Sequence, residues 1–87
     1  MRRGAAVSAV AHGETLLCVN MFCQKGGSDK VYHLTLEQVA GGFVVNYANG
    51  RRGSSLQDGT RTPQPVSEAD ARALFAAIKK EKLKEYT

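Results

Sequence analysis

The stretch that most constrains this chain is residues 42–53, GFVVNYANGRRG. Its first half alternates. Phe43, Val45 and Tyr47 fall on one side of an extended backbone, and Val44, Asn46 and Ala48 on the other. Such alternation demands a strand in a sheet. The second half, Asn49-Gly50-Arg51-Arg52-Gly53, contains an Asn-Gly pair. Both residues tolerate positive φ, so the pair predicts a turn at the strand end. Two arginines held between glycines then form a compact cationic tip on a stiff base, and binding is expected there first.

The segments on either side supply partners for that strand. Residues 14–23 include LLCVNMFC, an apolar run too short for a helix. It reads as a strand buried on both faces, or one whose outer face meets the N-terminal segment. Residues 24–30, QKGGSDK, are a loop by composition. Residues 31–39 form the clearest half-buried strand: Tyr32, Leu34 and Leu36 share one face, and His33, Thr35 and Glu37 the other. Ala40-Gly41-Gly42 predicts a hairpin into residues 43–48. Beyond the tip, residues 54–58 read as a mobile loop and residues 60–62 as a short edge strand, ended by Pro63 and Pro65.

The helix is the most strongly marked element. Ser67 is a good N-cap, with Asp70 three residues on as a capping-box partner. Ala71, Leu74, Phe75 and Ile78 define one apolar face. Lys79, Lys80, Lys82 and Lys84 crowd the last turns, where the helix dipole favours cations. Glu68 and Arg72 are spaced to pair at i, i+4. Lys82 falls inside the apolar stripe and must snorkel, or the helix must loosen there. An 87-residue chain makes one domain and buries about one sheet and one covering helix. The expectation is an α+β fold: a small antiparallel sheet with one helix, residues 67–85, packed on one face. Residues 1–13 are expected to be a flexible segment or a frayed edge strand, and residues 14–87 the domain.

Several chemistries find no support. Cys18 and Cys23 are oddly spaced within one strand, so they face opposite ways and cannot bridge. Free thiols point to a reducing, cytoplasmic setting. With His12 and His33 they are the soft metal-ligand candidates, but they lack metal-site spacing, so neither metal nor cofactor is expected. The acidic residues are scattered singly, and no Gly-rich oxyanion element lies near either cysteine, so no enzyme is expected. No apolar run is long enough to cross a membrane. The N-terminal MRRGAAVSAVAHG has arginines followed by small residues, but its apolar part is Ala-rich and broken by Ser8 and His12, unlike a signal peptide.

Order and motif together resemble the WGR domain, a module of poly(ADP-ribose) polymerases and of bacterial proteins. The matching features are the strand in DKVYHLTL, the Gly-containing hairpin, and the Gly50-Arg51-Arg52-Gly53 tip. Ser67, Ala71 and Phe75 at four-residue spacing follow, then a lysine-rich end closing on Tyr86. The resemblance spans residues 14–86. Asn49 stands where the motif has its tryptophan, and the chain has no tryptophan. The resemblance implies an antiparallel sheet crossed by one helix, and a module that contacts DNA ends and neighbouring domains without catalysis.

The functional expectation is a non-catalytic, WGR-like module that contacts nucleic acid, DNA in preference to RNA, by its backbone or ends. A net charge of +4 is mildly consistent with that. The residues expected at the contact are Asn49, Gly50, Arg51, Arg52 and Gly53, with Tyr47 as a stacking surface and Arg61 extending the positive patch. The alternative is a protein–protein interaction module of the same fold that has lost DNA binding.

Overall fold

The computed structural model describes residues 11–27 and 29–87. Four strands follow one another: β1 Glu14–Cys23, β2 Lys30–Val39, β3 Gly42–Arg51 and β4 Gln57–Thr60. They lie side by side in sequence order, and every neighbouring pair is antiparallel. One helix, α1 Glu68–Lys82, packs across β2 and β3. This is the expected small α+β architecture.

Register puts the apolar residues together. Leu17, Val19 and Met21 of β1 oppose Leu36, Leu34 and Tyr32 of β2. Leu36 and Leu34 in turn oppose Val45 and Tyr47 of β3. Ala71, Phe75 and Ile78 of α1 close over this face. Leu34, Leu36, Val45 and Ala71 are fully buried. Each large side chain so buried contributes about 1.5–3 kcal/mol, and this stripe is the main source of stability. Ser67 caps α1 as expected, its hydroxyl accepting from the Asp70 N–H at 3.1 Å. Glu68 and Arg72 pair at 2.9 Å.

The C-terminal end is fastened as well. Lys82 does snorkel: its Nζ stands 4.8 Å from the Tyr32 ring centroid, a cation–π contact. Tyr32 stacks on Tyr47 (5.7 Å, 11°) and meets Tyr86 at a tilt (5.8 Å, 57°). Thr87 exchanges two backbone hydrogen bonds with Phe22 of β1, 2.9 and 2.7 Å. α1 ends at Lys82, short of the expected Glu85, because the chain must turn there to bring Tyr86 into the core.

Three expectations are corrected. Asn49-Gly50 is not a turn; both residues lie within β3, opposite Tyr32 and Val31. The edge strand is β4 at Gln57–Thr60, so Gln57 and Asp58 leave the supposed loop and join the sheet. The contact with β3 does run on: the Arg61 N–H donates to Val45 O at 2.8 Å, and Thr62 Oγ1 accepts from the Val45 N–H at 3.0 Å. Finally, β1 is not buried on both faces, for Cys18, Asn20 and Phe22 are exposed on the side away from α1. Both cysteines are free, Cys18 exposed and Cys23 buried. The expectation for the N-terminal segment falls mostly on residues 1–10, outside the described residues.

Candidate functional site

The turn that follows β3 is centred on Arg52-Gly53, three residues beyond the Asn49-Gly50 that the sequence implied. Arg51 still pairs with Lys30. The chain then reverses, with the Ser54 N–H donating to Arg51 O at 3.1 Å and Gly53 at φ 86°, a value that favours glycine. The two arginines consequently differ. Arg52 is tied to Asp29 twice, by its backbone N–H to Asp29 O (2.8 Å) and by Nε to Oδ1 (3.0 Å). Its guanidinium also lies 4.9 Å over the Phe22 ring. Arg51 is exposed and, among the described residues, has no carboxylate partner.

Strand alternation sends Tyr47, Asn49 and Arg51 to the side of the sheet that α1 covers. Several other cations gather near this end. Lys30, opposite Arg51, is paired with Glu85 at 3.1 Å. That hydrogen bond and the Glu85 charge hold its ammonium above the usual lysine range. Lys82 sits over Tyr32. Burial pushes the Tyr32 hydroxyl above its ordinary range, against the opposing pull of the Arg61 guanidinium. Arg61 itself is exposed just after β4.

The expected site residues therefore divide. Asn49, Gly50 and Arg51 lie in line on β3, while Arg52 is drawn back toward Asp29 and Phe22. Tyr47 is half-buried, and one face of its ring is taken by Tyr32. Its phenol also crosses β4 so closely that a Cβ on Gly59 would collide with it.

The opposite side of the sheet holds a constellation that sequence reading treated only as an outward-facing residue. Glu37 on β2 is just 5% exposed. One oxygen accepts from the Gly13 N–H at 2.9 Å, with His12 Nδ1 at 3.3 Å. The other accepts from the Thr35 hydroxyl at 2.7 Å and from Asn46 Nδ2 at 3.1 Å. Burial alone raises a carboxyl; here the Gly13, Thr35 and Asn46 hydrogen bonds and the His12 charge outweigh it and hold Glu37 below the usual carboxylate range.

Asn46 is 3% exposed. Its Nδ2 also donates to Ala11 O at 2.7 Å, which fixes the orientation of the amide. Its Oδ1 is buried and has no partner among the described residues. An unmet buried acceptor costs about 1–3 kcal/mol. These groups border a cavity of about 200 Å³ whose lining also includes His33 and Asp58. An Asn in the middle of an apolar strand was the one local signal of this site. Among the described residues no group of His, Cys, Asp and Glu is arranged to hold a metal ion, and no helix is long and apolar enough to cross a membrane.

No family model, curated protein or solved structure matches this chain.

Proposed function

We propose that this chain is a non-catalytic, WGR-like binding module that takes the nucleic-acid backbone, DNA in preference to RNA, at the Arg51 end of its sheet. The observation that supports this reading is Arg51 itself, an exposed guanidinium at the end of a rigid strand, with no carboxylate partner among the described residues. A guanidinium so placed meets a phosphate bidentately. Exposed Lys79 and Lys80 lie in the last turn of α1, and exposed Lys84 just after it. They are near Lys82, which sits over Tyr32, and Glu85, which pairs with Lys30, and they add a positive field beside Arg51.

The chemistry available at this end limits the mode of binding. An Asn at position 49 offers no flat apolar surface for a sugar or base, and Tyr47 has one face already covered. Binding is accordingly led by phosphate contacts, which position a nucleic acid but carry no sequence information. Arg52, compensated by Asp29, contributes less than Arg51.

An NMR titration with short DNA duplexes bearing different ends tests this. The expected result is a set of shifts centred on residues 49–53 and on the end of α1, weakening steeply as salt rises. A flat titration at low salt removes the proposal. Shifts that persist unchanged at high salt would favour the protein-interaction alternative instead.

A further inference from the structure

We propose that the groove between α1 and the segment joining it to β4 binds a small monocarboxylic acid with an apolar body, its carboxylate held by Arg61. The groove has a volume of about 410 Å³ and is lined by Arg61, Thr62, Pro63, Gln64, Val66 and Leu74.

The wall formed by residues 61–66 is fixed at both ends. The Arg61 N–H donates to Val45 O at 2.8 Å, and Thr62 Oγ1 accepts from the Val45 N–H at 3.0 Å. Val66 exchanges two backbone hydrogen bonds with Phe43, each 2.8 Å. Pro63 and Pro65 stiffen the stretch between, because their rings fix φ. A wall so anchored does not close onto Leu74, and the groove is preformed.

The lining selects the occupant. Leu74 and Val66 are half-buried, and with Pro63 they give the groove its apolar walls. Among the described residues Arg61 is the one charged group in the lining. It is exposed and, among the described residues, has no carboxylate partner. Its pull on the Tyr32 hydroxyl places the guanidinium on the side of the sheet that α1 covers. Its planar fork meets the two oxygens of a carboxylate at once. The Gln64 amide, in the same lining, offers a further N–H.

One cation balances one negative charge. A phosphate monoester carries nearly two, and the second would lie against apolar walls without a counter-charge. An ammonium head is repelled by Arg61. The volume lies within the range of about 300–1,000 Å³ typical of small-molecule sites. The groove is independent of the tip, for its anchors Phe43 and Val45 lie toward the other end of β3, about 20 Å of strand from Arg51.

The test is an NMR titration of the whole chain with hexanoate, set against hexanamide, hexylammonium and acetate. Hexanoate should give saturable shifts of the Leu74 and Val66 methyls and of the Arg61 Nε–H. It should bind about tenfold more tightly than hexanamide, which keeps the tail and lacks the charge. It should also bind about tenfold more tightly than acetate, which keeps the charge and lacks most of the tail. Hexylammonium should bind most weakly of the six-carbon probes. Arg61→Gln, an exposed change that leaves the backbone bond to Val45 in place, should bring hexanoate down to the level of hexanamide. Arg51→Ala should leave hexanoate binding unaltered. Equal affinities for hexanoate and hexanamide, a preference that survives in Arg61→Gln, lost binding in Arg51→Ala, or no saturable shift at all would each overturn the proposal.

Discussion

Replacing Glu37 with Gln tests how the face of the sheet opposite α1 is held. The substitution keeps shape and volume but exchanges one acceptor oxygen for an NH₂ group. Whichever way the new amide sits, a pair of existing donors then faces another donor: either Gly13 N–H with His12, or Thr35 Oγ1 with Asn46 Nδ2. The Thr35 hydroxyl can rotate and accept. Asn46 can present its oxygen only by releasing Ala11 O, now bound at 2.7 Å. The net loss is one hydrogen bond to a charged acceptor together with one unmet donor, about 2 kcal/mol. At roughly 4–8 °C per kcal/mol for a domain of this size, the melting temperature should drop by about 10 °C at pH 7.

The pH dependence has a definite sign. Folding holds the Glu37 carboxyl below its ordinary range, so in that window the unfolded chain binds more protons than the folded one. The stabilisation is complete above the unfolded carboxyl value, about 4.3, and is lost as pH falls through the lower folded value. Urea unfolding of both proteins, followed by far-UV circular dichroism at pH 7 and about pH 3, should show the gap shrinking toward acid. A gap that is the same at both pH values, or below about 0.5 kcal/mol at pH 7, would refute the reasoning.

Further expectations concern the packing. Gly59→Ala should cost about 1–3 kcal/mol, because its Cβ meets the Tyr47 phenol, and hydrogen exchange should speed up along β4 first. Ser67→Ala should lose about 1 kcal/mol in urea unfolding, since it removes the oxygen that accepts the Asp70 N–H. Cys18 should react at once with a thiol reagent and Cys23 only on unfolding; equal rates would mean that β1 lies otherwise.

The elements that follow one local rule were legible in the sequence. β2 alternates apolar and polar residues from Tyr32 to Glu37, and its boundaries fall within a residue of expectation. α1 announces itself by Ser67 and by Ala71, Phe75 and Ile78. The misread places are those where pairing overrode local preference. Asn49-Gly50 has turn chemistry, yet β2 offered Tyr32 and Val31 as partners, and Asp29 extended the match by accepting the Arg52 N–H. β4, QDGT, has no apolar alternation to betray it. It pairs because β3 leaves one edge open and Gly59 makes room for Tyr47.

The candidate sites divide along the same line. The arginines were visible as a pair, but the ion pair that separates their roles joins Arg52 to a residue 23 positions away. Thr35 shares a strand face with Glu37, but the rest of the cluster comes from Ala11, Gly13 and Asn46, and no local pattern joins residues so far apart.

Whether Arg51 meets phosphate is decided most directly by fluorescence anisotropy with a short DNA duplex at several salt concentrations, comparing the chain with its Arg51→Ala variant. The expected result is a logarithmic affinity that falls linearly with the logarithm of salt, weaker throughout in the variant, with a slope smaller by about one contact. Equal affinity and equal slope for the two proteins, or binding indifferent to salt, would contradict it.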